Sequence, residues 1–291
     1  MFLQGIVMTL VTGLVWCCIG IVYSRAAQKE RGFYLFLFLS AFFFAVMSWC
    51  CAAPSPAEVG MVAEIAAIMI PAAAASQLGF LALGRAMRHG SHGVSWSIAQ
   101  SAMLCPFAAG MFLFGEEVSP LRVAGMILLL ASLVPLGRSQ CGESAARGGR
   151  AFLIPAFLAF GLIGLQQTLT LLPNRIPGVD SAALSWRIPL YSLCGLGWIV
   201  AVIRFREFRI PGIALLALLN GALATVGQWT FYRALDLLVE CDAAGIAYPL
   251  AVGSSVALFF LYTEWIRKER TGPAGMFGVL LAVLGMLLLA F

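Results

Sequence analysis

Ten apolar runs divide this chain of 291 residues, and charged residues or proline and glycine separate them. Most runs have about 20 residues, the length that an α-helix needs to cross the hydrocarbon core of a bilayer. The pattern therefore predicts an all-α polytopic membrane protein with ten transmembrane helices. The predicted helices cover residues 3–24, 32–52, 62–87, 93–114, 120–137, 151–172, 181–203, 211–238, 243–266 and 273–291.

Basic residues are concentrated in alternate connections between these runs. With the N-terminus outside, the odd-numbered connections hold 14 of the 18 Lys and Arg residues and have a net charge of +9. The rest of the chain has a net charge of −4. Cytoplasmic connections of membrane proteins collect Lys and Arg. The charge pattern therefore predicts that both termini lie on the outer, periplasmic side of a bacterial inner membrane.

The composition agrees with a bilayer as the solvent. Hydrophobic residues make up 62% of the chain and charged residues 11%, whereas a soluble domain has about 45–50% and about 25%. This composition excludes a soluble enzyme, a disordered protein and a nucleic-acid binder. The first run lacks a basic region before it and a cleavage site after it, so we expect a retained helix and no signal peptide.

The cysteines and histidines show no spacing that is typical of metal ligands, so no metal and no cofactor are expected. Four of the eight cysteines form two adjacent pairs inside apolar runs, Cys17–Cys18 and Cys50–Cys51. Small hydrophobic packing residues are the simplest interpretation of such pairs. His89 and His92 are expected in a solvated cytoplasmic connection.

The two halves of the chain carry similar motifs. Segments 77–80 and 228–231 share the pattern Gln-x-x-Phe at an offset of 151 residues, and segments 93–96 and 245–248 match at an offset of 152. Glu, Pro and Gly recur together at an offset of 153, as Glu116, Pro120 and Gly125 and as Glu269, Pro273 and Gly278. Because each half has five runs, the second half enters the membrane from the opposite side, as in many secondary transporters.

This repeat predicts two domains and a linker. Residues 1–140 form the first five-helix repeat, residues 141–150 form a cytoplasmic linker, and residues 151–291 form the second repeat.

The chain resembles the drug/metabolite transporter superfamily, as a ten-helix member with two EamA-type halves. A Glu that stands nine residues before a Gly occurs in both halves, at Glu116 and at Glu269. The stretches that carry the resemblance are 10–20, 80–87, 115–132, 231–235 and 268–285.

One departure from the family lies in the first helix. The family often has Gly directly after the Trp of this helix, where the chain has Cys17 after Trp16, so the packing around Trp16 is expected to differ. The resemblance implies alternating access and a central cavity between the halves. It implies no particular solute, because the superfamily moves amino acids, amines, sugars, nucleotide sugars and drugs.

Polar residues near the middle of the predicted helices are candidates for solute binding, because polar groups are costly in hydrocarbon. An amide donates and accepts hydrogen bonds without a charge, which favours zwitterionic or neutral polar solutes. The alternative is that these amides bridge helices. The candidates are Gln77, Gln100, Gln166, Gln167, Asn220 and Gln228.

Aromatic residues and one arginine complete the predicted site. Trp16, Trp96 and Tyr248 are predicted to lie deep enough to stack on a solute or to enclose a quaternary amine. Arg187 is a candidate for a carboxylate or phosphate contact, with a salt bridge or snorkelling as its alternative. Trp49, Trp198 and Trp265 lie near helix ends and are predicted to belong to interfacial belts.

The sequence therefore predicts a secondary transporter, not an enzyme, that moves a small polar or amphipathic metabolite. Amino acids are the first choice, and sugars or nucleosides and quaternary or aromatic amines are the rivals. The acidic residues lie near helix ends or in connections, which favours a facilitator or exchanger. A membrane-embedded lipid-modifying enzyme is a distant alternative. The expected partners are the solute and the lipid bilayer, not nucleic acid, and the expected state is a monomer or homodimer.

Overall fold

Long apolar helices account for most of the chain. The computed structural model describes residues 1–29, 31–51, 53–113, 119–139, 149–208, 210–239, 241, 246–269 and 271–289. Within these ranges the regular structure is helical and contains no strand, so the predicted all-helical class is confirmed. Several predicted features lie outside these ranges, namely the linker up to residue 148, Glu116 and Gly245.

Thirteen α-helices are present in the described ranges. The first half contains α1 (Phe2–Ala27), α2 (Phe33–Cys51), α3 (Val59–His89), α4 (His92–Gln100), α5 (Leu104–Leu113) and α6 (Pro120–Ser139). The second half contains α7 (Gly149–Leu171), α8 (Ser181–Leu184), α9 (Arg187–Leu193), α10 (Ile199–Phe205), α11 (Ile213–Val239), α12 (Ala247–Leu261) and α13 (Gly272–Leu288).

Eight helical segments of the described chain are long and apolar enough to cross a membrane. They correspond to eight of the ten predicted runs and indicate a multi-pass membrane protein. The other two runs form shorter apolar helices, Pro120–Leu136 and Gly272–Leu288. A crossing by these two helices stays a prediction. Large apolar side chains such as Ile154, Leu215 and Leu280 are exposed on the outside of the helices, where a bilayer would cover them.

Two predicted spans are interrupted, and a proline lies just after each interruption. A proline ring clashes with the carbonyl group four residues earlier. For Pro189 that carbonyl belongs to Ser185, which lies between the end of α8 and the start of α9. For Pro106 it belongs to Ala102, inside the short 3-10 helix Ser101–Met103 that joins α4 to α5. A second 3-10 helix, Cys194–Trp198, joins α9 to α10.

The helices of the two halves pack against each other rather than only within each half. The most extensive contacts join α3 with α7, α1 with α11, and α6 with α13. Small residues allow these approaches: a Cβ atom at Gly125 of α6 would lie 2.7 Å from the carbonyl oxygen of Gly285 in α13. A large buried cluster includes Phe36, Trp96 and Phe259, and it runs through both halves.

Glutamates bind helix N-termini at the end of the bundle that is predicted to face the cytoplasm. One carboxylate oxygen of Glu207 accepts hydrogen bonds from the backbone N–H groups of Tyr34 (3.0 Å) and Leu35 (3.1 Å) in the first turn of α2. Glu269 accepts from the backbone N–H of His92 at 2.9 Å, at the start of α4. Each carboxylate therefore satisfies N–H groups that have no partner within their own helix.

The expectation that His92 lies in a solvated connection is wrong. Its side chain is 5% exposed, because it begins α4 and packs beside the guanidinium of Arg267, with 3.2 Å between the histidine Nε2 and the arginine Nη2.

Candidate functional site

A cavity lies among the long helices and is lined by residues from α1, α2, α3, α4, α7, α9, α11 and α12. It has a water-accessible volume of about 170 Å³. One water molecule takes about 30 Å³ in the liquid, so the cavity has space for about half a dozen waters. A small metabolite of about a dozen non-hydrogen atoms would replace them.

The lining residues recur at helical spacing. Residues three, four and seven positions apart lie on one face of an α-helix, and α2 and α7 both contribute four residues in this pattern. The same face of α11 contributes residues at positions 220, 224, 228 and 231. The stripes on α2 and α7 are Leu37, Ser40, Ala41 and Phe44, and Ile163, Gln166, Gln167 and Thr170.

Nine of the ten residues that the sequence singles out lie on the wall of this one cavity. Their binding of a solute stays a prediction, but their convergence from six helices is a property of the structure. The nine are Trp16, Gln77, Trp96, Gln100, Gln166, Gln167, Asn220, Gln228 and Tyr248.

Three polar atoms of the wall are buried and have no hydrogen-bond partner within the described chain. They are Oε1 of Gln167, Oδ1 of Asn220 and Oγ of Ser40. The side chains of Gln167 and Ser40 are each only 6% exposed. A buried polar group without a partner costs about 1–3 kcal/mol. These oxygens lie just behind the surface of the wall, so a solute or water inside the cavity binds them once their side chains turn toward it.

Gln77 has a partner outside the cavity. Its Oε1 accepts a 2.8 Å hydrogen bond from Nε1 of Trp198. Gly195 lets the 3-10 helix come this close, because a Cβ there would lie 2.9 Å from Nε2 of Gln77. Gln77 thus bridges two helices while it lines the cavity. That Trp198 belongs to an interfacial belt stays a prediction; the structure adds that its indole N–H binds this amide.

Three aromatic rings from different helices pack together at the cavity. The ring centroids of Trp16 and Phe231 are 5.3 Å apart, those of Phe231 and Tyr248 are 4.4 Å apart, and those of Trp16 and Tyr248 are 6.4 Å apart. Trp96 also lines the wall, and its Nε1 donates to Oγ of Ser255 at 3.4 Å. It thereby joins α4 to α12. The cavity accordingly has an aromatic side formed by α1, α11 and α12.

Arg187 is the one predicted residue that does not line the cavity. Its guanidinium carbon lies 4.3 Å from the ring centroid of Tyr232, a cation–π distance. Its Nε donates to the carbonyl oxygen of Leu184 at 2.9 Å. Because Tyr232 itself lines the cavity, Arg187 lies directly behind the wall.

Sequence reasoning missed several lining residues. Phe231 stands three positions after Gln228, and Thr170 stands three positions after Gln167, so each lies on a face that the amides already mark. Extension of the predicted faces at a period of 3.6 residues finds both. The other missed polar or aromatic residues are Tyr23, Ser40, Phe44, Ser76, Phe80, Tyr191 and Tyr232.

Comparison with known proteins shows that the fold is shared with solved structures. No protein-family model matches the chain, and no curated protein matches it. Nineteen chains of known structure resemble it. One of them, described only as the crystal structure of a protein, has a TM-score of 0.65 at 13% sequence identity, over 99% of this chain and 96% of that chain. At this identity the likeness shows the fold alone, and it extends over almost the whole chain.

Proposed function

We propose that the protein is a secondary transporter that moves a small polar or amphipathic metabolite across the bacterial inner membrane by alternating access. The cavity carries this proposal: amides and aromatic rings from both halves meet inside a bundle of membrane-crossing helices. Secondary transporters bind solutes near the midplane, at the interface between repeats. The solute class includes amino acids, the first choice from the sequence, with sugars, nucleosides and amines as rivals.

The pattern of helix contacts supports two inverted repeats. If α1 corresponds to α7 and α3 to α11, exchange of the halves converts the contact of α1 with α11 into the contact of α7 with α3. Both are among the most extensive contacts in the described chain. The same exchange maps the contact of α6 with α13 onto itself. This correspondence favours repeats at 1–140 and 151–291 and agrees with the drug/metabolite transporter resemblance.

Hydrogen bonds between connections support the predicted topology. Nζ of Lys29 donates to the carbonyl oxygen of Pro211 at 2.9 Å, and Nε of Arg88 donates to that of Ala27 at 2.6 Å. Both bonds join segments that the charge pattern assigns to the cytoplasmic side. A phosphatase that is active only outside the cytoplasm is expected to be active when fused after residue 291. An active fusion after residue 139 would contradict this topology.

Aromatic residues lie on the expected route to the outer side. A small cavity of about 10 Å³ adjoins the main one and shares five residues with it, namely Phe44, Thr170, Tyr191, Gln228 and Tyr232. Met69 and Ile188 complete its wall. In this proposal an outward movement of Tyr191 and Tyr232 widens the small cavity into a passage, which is how the cavity would open to that side.

Flux measurements on purified protein in liposomes test the proposal. Saturable uptake of one or more metabolites is expected, and Gln228→Ala is expected to weaken it about tenfold, because it removes an amide from the wall. Gln77→Ala is expected to do the same and also to destabilise the fold. Gln4→Ala is the matched control, since that amide is exposed and lies near the start of α1. A broad screen without flux would overturn the proposal.

A further inference from the structure

The unpaired atoms of the cavity wall describe the solute that would satisfy them. Gln167, Asn220 and Ser40 lie on α7, α11 and α2, so a solute between these helices meets a polar group from three directions. One oxygen of each side chain is buried without a partner. It costs free energy until a rotation of the side chain brings it to a partner in the cavity. The inference that follows rests on the proposed transport function, because it assumes that the cavity holds the cargo.

The chemistry of these groups favours an uncharged partner. A carboxamide presents a carbonyl acceptor beside an NH₂ donor, so its best partner has a donor next to an acceptor in one plane. Asn and Gln pair in this way with the edge of adenine. The polar side chains along the described wall are amides, hydroxyls and indole N–H groups. These groups pair with neutral polar edges, whereas a buried carboxylate or ammonium needs an opposite charge to offset its desolvation.

The aromatic side of the cavity favours a flat ring. Trp16, Phe231 and Tyr248 come together from three helices, and stacking of a base on an aromatic side chain contributes about 1–3 kcal/mol. Enzymes that hold an extruded base use the same combination, with stacking on the faces and hydrogen bonds along the edge. A volume of about 170 Å³ suits a ring system of about a dozen non-hydrogen atoms.

We propose that the cargo is an uncharged planar heterocycle with adjacent hydrogen-bond donors and acceptors, of the nucleobase class. Gln167 and Asn220 bind the polar edge of the ring, and Trp16, Phe231 and Tyr248 pack against its faces. This class takes the place of amino acids as first choice, because the wall offers partners for a polar edge and a flat face together.

Ligand-induced stabilisation of the wild-type protein in detergent is the first test. A ligand that binds only the folded state raises the apparent melting temperature. Adenine and uracil are compared with orotate, which adds a charged carboxylate to uracil, and with tryptophan, which pairs a flat ring with a zwitterion. A neutral base is expected to act at a concentration at least about tenfold lower than orotate or tryptophan. Equal or stronger stabilisation by tryptophan would overturn the proposal.

Two substitutions of similar volume test the assigned residues. Gln167→Leu and Asn220→Leu are each expected to weaken binding of the best base about tenfold, because each leaves a polar atom of the ligand unpaired. Gln4→Leu makes the same change at an exposed amide and is expected to leave binding unchanged. An unchanged elution volume in size-exclusion chromatography shows that a variant is folded. If both variants are folded and bind the base as tightly as the wild type, Gln167 and Asn220 do not bind the polar edge of the ring.

Flux assays separate this inference from the transport proposal. If liposomes take up an amino acid saturably while no base binds, the heterocycle inference fails and the transport function stands. If a base binds with the expected dependence on Gln167 but no solute crosses the membrane, the transport function fails and the ligand class stands.

Discussion

The indole Nε1 of Trp198 donates a 2.8 Å hydrogen bond to Oε1 of Gln77, and the contact joins a 3-10 helix to α3 at the cavity wall. The sequence left two roles open for Gln77, solute contact and helix bridge. The structure places the residue on the cavity wall and gives its oxygen a partner on another helix. Substitutions on the two sides of this bond can therefore separate the two roles.

Trp198→Phe is expected to destabilise the fold more than it changes solute binding. The ring stays, but the N–H that satisfies Gln77 is lost, at a cost of about 1 kcal/mol. In detergent the apparent melting temperature is expected to fall by about 2–4 °C. Trp265→Phe is the matched control, because that side chain is 74% exposed. An equal fall in both variants would show that the hydrogen bond contributes nothing.

Glu207→Gln is expected to weaken the start of α2. A carboxylate at a helix N-terminus makes charge-assisted hydrogen bonds and interacts favourably with the helix dipole, and this one binds the N–H groups of Tyr34 and Leu35. The substitution keeps one acceptor but removes the charge, so a loss of about 1–2 kcal/mol is expected.

The matched control for this cap is Glu58→Gln. Glu58 precedes α3 and is exposed, and its side chain makes no capping hydrogen bond. Thermal unfolding in detergent is expected to leave this variant unchanged. If Glu58→Gln and Glu207→Gln lose the same stability, a general effect of net charge explains both, and the cap on α2 is refuted.

The positions of the spans could be predicted from the sequence because the bilayer fixes the length of an apolar helix. The predicted run 151–172 and α7 (Gly149–Leu171) differ by two residues at one end and one at the other. The breaks within spans could not be predicted. Pro71 lies inside the unbroken helix α3, whereas Pro189 follows a break. A membrane helix tolerates proline where neighbouring groups satisfy the freed carbonyl, and those neighbours are known only from the packing.

The candidate site could be predicted in part because amides are rare in apolar helices. Their depth along each run indicated which ones would converge, and nine of the ten chosen residues share the cavity wall. Trp198 could not be predicted, because it reaches Gln77 only through the 3-10 segment that also brings Gly195 close. Tyr232 was missed although it stands four positions after Gln228, on a face of α11 that the amides already mark.

Glu269→Gln is expected to loosen the ends of three segments at once, on the side that is predicted to face the cytoplasm. Its carboxylate accepts from Oγ of Ser91 (3.0 Å) and from the backbone N–H of His92 (2.9 Å), and it forms a 2.7 Å salt bridge with Nε of Arg267. Nη1 of Arg267 in turn lies 3.3 Å from Oγ of Ser24 in α1. The substitution is expected to cost about 1–3 kcal/mol, because the group is largely buried and charged.

A double-mutant cycle measures how far Glu269 and Arg267 act together. Residues in one hydrogen-bond network show interaction energies of about 0.5–3 kcal/mol. Glu269→Gln combined with Arg267→Gln is therefore expected to cost less than the sum of the two single variants, measured by thermal unfolding in detergent. Strict additivity would show that the salt bridge contributes nothing measurable and that the helix cap on α4 accounts for the effect of Glu269.

The close contact between α6 and α13 depends on two glycines. A Cβ at Gly125 would lie 2.7 Å from the carbonyl oxygen of Gly285, and a Cβ at Gly285 would lie 2.8 Å from that of Gly125. Both obstacles are backbone atoms, so no side-chain rotation relieves the clash, and small residues at such crossings let transmembrane helices pack closely. Gly125→Ala is therefore expected to separate the helices and to lower the apparent melting temperature in detergent.

Gly161→Ala is the control for this crossing, because a Cβ at Gly161 in α7 would meet nothing within 4 Å. Alanine is favoured over glycine inside a helix by about 1 kcal/mol, so this variant is expected to be as stable as the wild type or slightly more stable. Gly125→Ala should therefore lower the apparent melting temperature, whereas Gly161→Ala should leave it unchanged or raise it slightly. If Gly125→Ala were stabilised to the same extent as Gly161→Ala, the close approach of α6 to α13 would be refuted, and the self-matching contact that supports the inverted repeat would be lost with it.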